Sequence, residues 1–435
     1  MKRVLGKATA LFVLRASQAV FGMLVVVLMS REMTEATLSV GLLLLSVTLG
    51  SGRVGVMGFD VVAIKLMGRE PPQAAATRTR FADMAFRFLL CWAAMAAVLS
   101  VLLTLPAIGA QVASLGIAPG WLLVWLFLAA VQVFQAAVLL GWHRQMTSLF
   151  YMGALSNALA LALIALRVFS GAELTVAAIA QAYLVGLGGS VMAAQLHIHK
   201  LMGWVMPRPG RPNGQETGFR VMAGSALTNG LAMAVTQLPL WVVAWLGSRT
   251  QVVDFGLAFR LMLPLSVILL SARNMVAPVV SRAWHDRNLI EAEPYLRQVA
   301  SLALTATFLV SILLLGLHDW LFRVIFARPE AQSFAPLAWL LAGQCLLSFF
   351  GQGQLILRLA DHQTLALGLV LGTAAMQAGL VVALFVQFGI AGAAFSVAIY
   401  SLLAGGLPSL GVRRLLGVTI TARLAVPRGL RKAGT

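Results

Sequence analysis

Long apolar runs separated by short polar segments dominate this chain. A helix needs about 20 mostly apolar residues to cross a hydrocarbon core, and such runs fall near 9–30, 38–66, 83–108, 121–142, 148–168, 174–197, 221–246, 252–281, 298–317, 336–357, 363–388 and 390–412. The pattern predicts an all-α integral membrane protein with about twelve transmembrane helices. One polar segment differs from the rest: 203–218, GWVMPRPGRPNGQETG, carries three prolines, four glycines and two arginines, the composition of a linker. It divides the chain into an N-terminal six-helix bundle (1–202), the linker (203–218), a C-terminal six-helix bundle (219–412) and a basic tail (413–435). A weak repeat supports the division. Ser51-Gly52-Arg53 in the second span matches Ser271-Ala272-Arg273 in the eighth, and two even-numbered halves are expected to be parallel.

Composition agrees: 60% of 435 residues are hydrophobic and 11% charged, far from an ordinary soluble domain. Lys2, Arg3 and Lys7 precede an apolar run as in a signal peptide, but Arg15 and Gln18 interrupt it and no small-residue cleavage site follows, so the first helix is expected to stay. The net charge of +18 raises the question of nucleic acid, and position answers it. With the N-terminus inside, 23 of the 32 Lys and Arg residues lie on the cytoplasmic side and only Arg31, Arg167, Arg249, Arg323 and Arg328 outside. This positive-inside bias predicts both termini in the cytoplasm and a multi-pass protein of the bacterial cytoplasmic (inner) membrane, with no nucleic-acid partner.

The other four, Arg15, Arg53, Arg260 and Arg273, fall inside predicted spans. A charge there costs about 2.5–3.5 kcal/mol on insertion scales and is usually kept for a cavity or a partner. All four are candidate substrate-binding residues, because a guanidinium is permanently charged and grips phosphate oxygens bidentately. Asp60, seven residues after Arg53, is expected on the same helix face and is a candidate for ion coupling. Gly58 and Pro264 are candidate pivots.

Several classes of chemistry are excluded. No GxxxxGK[ST] loop occurs, so the chain does not hydrolyse nucleotides by that route. Cys91 and Cys345 are expected as small apolar fillers, the six histidines are scattered at span ends and loops, and neither set has metal-ligand spacing. No extramembrane segment is long enough for a catalytic domain. A non-enzymatic membrane protein without cofactor or metal is predicted.

GVMGFDVVAIKLMGRE (55–70), NMVAPVVSRAWHDRN (274–288) and HDWLFRVIFARPEAQSFAPLAWLLAG (318–343) resemble segments of the polysaccharide-biosynthesis flippases, the oligosaccharide branch of the multidrug/oligosaccharidyl-lipid/polysaccharide exporter superfamily. Ala327-Arg328 stands where that family usually has glycine. The resemblance implies two six-helix bundles in a V-shaped exporter-type fold around a cationic cavity. Its implied cargo is an undecaprenyl-pyrophosphate-linked oligosaccharide carried outward by alternating access for surface-polysaccharide synthesis, with Arg15, Arg53 and Arg260 in the spans where the family keeps cavity arginines. Implied partners are that isoprenoid-linked glycan, membrane lipids, and glycosyltransferases or a polysaccharide polymerase. The rivals are a multidrug/cation antiporter of the same fold and a non-transporting membrane anchor for glycosyltransferases.

Overall fold

Apolar runs this long leave their backbone groups no water to bond, and the helix is the structure that satisfies every N–H and C=O internally. A computed structural model describes residues 2–68, 70–105, 118–209, 219–286 and 288–423, and every regular element in them is helical. Residues 210–218 of the linker and 424–435 of the tail lie outside the described residues.

In chain order the helices are α1 (Lys2–Glu32), α2 (Glu35–Gly55), α3 (Phe59–Met67), α4 (Ala75–Thr104), α5 (Pro119–Gly141), α6 (Gln145–Phe169), α7 (Val176–Met202) and α8 (Phe219–Leu246). There follow α9 (Arg249–Met262), α10 (Ser266–His285), α11 (Leu289–Gly316), α12 (Phe334–Phe350), α13 (Gly353–Leu359) and α14 (Gln363–Leu416). Among the described residues, eight helices are long and apolar enough to cross a membrane, or nine if the bent pair α12–α13 counts as one span. The chain is a multi-pass membrane protein.

Local chemistry explains the starts and stops. Thr34 caps α2, its hydroxyl accepting the Thr37 N–H at 3.4 Å, and Thr175 caps α7 through the Ala178 N–H at 3.2 Å. These bonds satisfy donors that a helix start leaves orphaned. Pro119 opens α5, where its missing N–H costs nothing.

The chain forms two compact units, one of Met1–Gly256 with Ile325–Arg328, the other of Leu257–Val324 with Pro329–Thr435. In the first, Phe88 stacks on Phe134 and meets Phe59 edge-to-face, in a core with Trp92 and Trp142. The α6–α7 contact is lined by small residues: Ala178, Ala182, Gly186, Ser190 and Ala194 on α7 and Ser156 and Ala160 on α6 are buried. Small residues let backbones approach closely where lipid supplies no hydrophobic drive.

The second span is not one helix. Met57 (φ 48°) and Gly58 (φ 80°) are left-handed and separate α2 from α3, so the shared helix face expected for Arg53 and Asp60 does not exist. Glycine takes that conformation without a Cβ penalty. The other glycines of this span serve packing: a Cβ on Gly52 would stand 3.0 Å from the Ala129 carbonyl oxygen, and one on Gly55 3.0 Å from Ala130 Cβ. Pro264 lies in a 3-10 turn, Leu263–Leu265, between α9 and α10. Gly58 therefore marks a break between two helices, and Pro264 a tighter turn within a helical run that continues from Arg249 to His285.

In the same first unit, residues 325–328 secure the end of α1. The Ser30 hydroxyl donates to the Phe326 carbonyl at 2.7 Å, and the Arg328 guanidinium donates to the carbonyls of Met33 (2.8 Å) and Ser30 (3.3 Å). A cation at a helix C-terminus satisfies orphan carbonyls and favours the macrodipole. Arg328→Ala is expected to destabilise the protein by about 1.5–3 kcal/mol, the range for hydrogen bonds to charged groups, read as a lower detergent-solubilised melting temperature; an unchanged melting temperature would assign the contact no stabilising role.

In the second unit, buried Val276, Leu296, Val299, Ile356 and Leu357 form a core with Val412 and Ile420. Gly389 (φ 61°, ψ −143°) kinks the 54-residue α14, and a Cβ on Gly392 just beyond it would clash with the Leu384 carbonyl oxygen.

Candidate functional site

Polar side chains inside apolar helices are the natural candidates for transport chemistry, and each unit holds its own set. In the first, α6 contains one π-helical turn, Phe150–Ala154. Such a turn displaces backbone bonds and commonly marks functional segments. The Gln132 side-chain amide donates to the Tyr151 carbonyl (2.7 Å), Ser156 Oγ (3.1 Å) and Ser190 Oγ (3.3 Å), and the Ser190 hydroxyl donates to the same carbonyl at 2.6 Å. These bonds answer the freed carbonyl from α5 and α7. Toward α1, Asn157 Nδ2 donates to the Gln18 carbonyl at 3.3 Å, and any side chain at Gly153 would overlap the Gln18 amide. Arg15, one turn before Gln18, is half-buried.

At the end of α7, Gln135 Nε2 donates to Gln195 Oε1 at 2.8 Å, and Gln195 Nε2 lies 2.9 Å from His199 Nε2. His199 stacks on Trp204 with 4.2 Å between ring centroids, while His197 lies 3.5 Å from both Arg144 and the Tyr151 hydroxyl.

Asp60 occupies the first turn of α3 and is half-buried; a carboxylate there is favoured by the helix dipole. Arg53 lies near the end of α2, and its side chain lies outside the described residues. Asp254, absent from the candidates that the sequence suggests, is only 6% exposed on α9. Its one sequence signal is its position within the predicted span 252–281, where the arginines are the more conspicuous charges.

In the second unit Arg260 is 7% exposed, whereas Arg273 on α10 is exposed together with Asn274. Gln344 Nε2 donates to Met262 Sδ (3.4 Å), Gln377 Nε2 to Ser396 Oγ (3.2 Å), and Thr307 and Ser348 share a hydroxyl bond of 2.9 Å. Cys91 is exposed rather than a buried filler, and Cys345 is half-buried. Among the described residues no group of three His, Cys, Asp or Glu side chains is arranged to hold a metal ion.

No family model and no curated protein matches the chain. Solved structures do. An inward-facing multidrug resistance MATE family transporter of the MOP superfamily superposes with TM-score 0.74 at 16% identity, covering 98% of this chain and 100% of that one. A MATE protein in complex with MaL6 gives 0.66 at 15% identity, covering 94% and 95%. A MOP superfamily transporter from Pyrococcus furiosus Vc1 (DSM3638), described by a reverse polarity of its binding pocket, gives 0.63 at 15%, covering 94% of each chain. The chain shares the fold of these transporters, and another MATE protein of that fold is in complex with Br-NRF.

These matches correct the reading drawn from sequence. The fold neighbours include a multidrug resistance MATE family transporter and MATE proteins in complex with MaL6 and Br-NRF, so the assignment to oligosaccharide flippases falls, and with it the undecaprenyl-pyrophosphate-linked cargo and the glycosyltransferase and polymerase partners. Two physical reasons account for the error. The Gly-Phe-Asp segment encodes a helix break, with Gly58 left-handed and Asp60 in the first turn of α3, and Ala327 takes φ 54° where the family's glycine would sit. Such features specify backbone, not cargo. Arg15, Arg260 and Arg273, moreover, each interact with other groups of the protein, so their presence in the spans does not by itself identify an oligosaccharide-pyrophosphate cargo.

Proposed function

We propose that the chain is a multidrug-type antiporter that exports small amphiphilic molecules by alternating access, driven by inward movement of a cation. The observation that carries this reading is the whole-length likeness to a multidrug MATE transporter; the buried polar groups of each unit supply the means. Twelve spans are proposed, with both termini in the cytoplasm. Support comes from α2 and α3, which follow one another across the short break at Val56–Gly58 within one predicted apolar run, from the kink at Gly389 in α14, and from the charge bias along the chain. The six-plus-six division around 203–218 is proposed on the same grounds.

Arg15, Arg53, Arg260 and Arg273 are proposed to line the substrate path, and Asp60 and Asp254 to bind the coupling cation. A carboxylate exchanges a proton or ligates a monovalent cation, which a guanidinium cannot do. The arginines favour a second reading, in which substrates carry an anionic or zwitterionic group; the reversed pocket polarity of the Pyrococcus relative is a precedent within the fold.

The test is efflux from proteoliposomes under an imposed proton or sodium gradient, with a lipophilic cationic dye and a zwitterionic drug as alternative substrates. Gradient-driven export of the dye is the expected result. Export of the zwitterion alone would select the second reading, and transport of neither under either gradient would overturn the proposal.

A further inference from the structure

In the second unit, α14 ends at Gly417 in a left-handed turn (φ 69°), and the residues after it are not helical. Val418, Ile420 and Ala422 are buried, Thr419 and Thr421 are half-buried, and Arg423 is exposed. That alternation is the two-residue period of an extended chain laid on an apolar surface. Three backbone N–H groups of the segment bond to other elements. Thr419 N–H donates to Glu293 Oε2 on α11 at 3.1 Å, Ala422 N–H to the Phe349 carbonyl at the end of α12 at 2.8 Å, and Arg423 N–H to Ser301 Oγ on α11 at 2.8 Å. The other oxygen of Glu293 pairs with Arg297 at 3.5 Å.

The segment lies against the joint between α12 and α13, a pair bent by 40°. Gly351 makes the joint with φ 72°, and a Cβ there would stand 2.8 Å from the Ile420 carbonyl oxygen. Glycine is thus required twice, by the turn and by the backbone that crosses it. Ile420 packs in one core with Leu296 and Val299 of α11 and Ile356 of α13. The void left among Ile420, Gly351 and Val299 measures only about 10 Å³, about the room of one water. Alternate side chains in an apolar groove with backbone bonds to its walls is the way an extended peptide docks; here the chain supplies the peptide itself. The joint is also tied to α10, where the Leu269 carbonyl accepts from Gln352 Nε2 at 3.3 Å.

We propose that residues 418–423 form a strap that locks the bend between α12 and α13, and that the bend changes its angle only when the strap leaves its groove. A helix joint at a positive-φ glycine is one of the few positions able to absorb a large backbone change. With the strap seated, the Gly351 backbone lies against the Ile420 carbonyl and the Ile420 side chain fills the space beside the joint, so the two helices have no room to move against α11. With the strap out, that space is open and the joint is held through α10. The strap is therefore a conformational latch confined to the second unit, and it is independent of what the protein transports.

Hydrogen–deuterium exchange of the purified full-length protein, read by mass spectrometry, tests this. The double variant Val418→Ser/Ile420→Ser is expected to raise uptake over residues 346–359 several-fold, leaving residues 304–316 of α11 and 176–202 of α7 at wild-type levels. Arg423→Ala should match wild type, because the strap uses the backbone of Arg423 and its side chain is exposed. Ser301→Ala, which removes one acceptor and almost no volume, should raise uptake over 346–359 by a smaller factor, and it decides the matter where the double variant does not stay monodisperse. Wild-type uptake over 346–359 in Ser301→Ala, or in a monodisperse double variant, would overturn the proposal. So would an equal rise throughout α11 and α14, which would make the segment a general part of the core and not a lock on the bend.

Discussion

Replacing Gly186 by valine is expected to abolish folding of the first unit or to lower its melting temperature by more than any other single substitution on α7. A Cβ at Gly186 would stand 2.5 Å from the Ser156 carbonyl oxygen and 3.2 Å from the Ala160 amide nitrogen. The first distance lies well inside van der Waals contact with a backbone atom, so no rotamer change relieves it; α6 and α7 must separate. Separation is costly because the same contact carries the Ser190 and Gln132 bonds to the Tyr151 carbonyl. Overpacking alone costs about 1–3 kcal/mol, and loss of buried hydrogen bonds adds about 1–3 kcal/mol for each group left unsatisfied. Gly188→Val on the same helix is the control, since a Cβ there would meet only Leu128 Cδ1, at 4.0 Å. Thermal unfolding of the detergent-solubilised variants, followed by size-exclusion profiles, reads the difference. Gly186→Val melting within a degree or two of Gly188→Val would show that α6 and α7 do not depend on the close approach.

How far the chain can be read without coordinates follows from what each signal encodes. Apolar runs report where a helix meets lipid, and the predicted run 174–197 nearly matches Val176–Met202, as 121–142 nearly matches Pro119–Gly141. They do not report where a helix breaks, because a broken span is as apolar as a straight one. The break at Met57–Gly58 is visible in the sequence only as a glycine among other glycines, and Gly52 and Gly55 serve packing instead. The π turn at Phe150–Ala154 leaves no sequence mark at all; its reason is the set of partners brought by Gln132 and Ser190 from other helices. The arginines are legible as unusual, but their number does not reveal that three of them already have partners. Cargo is the least legible property, since one fold accommodates pockets of different polarity and neutralises its own charges in ways that depend on packing.

Asp254→Asn is expected to reduce gradient-driven efflux roughly tenfold or more, a loss of about 1.4 kcal/mol, while leaving downhill release of preloaded substrate near wild type. The argument begins with cost. An ionisable side chain in a span is expensive to keep, about 2.5–3.5 kcal/mol on insertion scales, and is retained chiefly where it pairs or acts. Asp254 is 6% exposed, more buried than the half-buried Asp60. Asparagine preserves its size and one acceptor oxygen but neither exchanges a proton nor presents a full negative charge to sodium. A purely structural Asp254 would therefore show in the variant as a lower melting temperature with gradient dependence intact. A coupling Asp254 would instead show as export that no longer responds to the imposed gradient at nearly unchanged stability. Asp60→Asn, in the first turn of α3 where the helix dipole already favours negative charge, provides the comparison. If it alone removes the gradient response, the coupling site belongs to α3 and Asp254 is a structural acid.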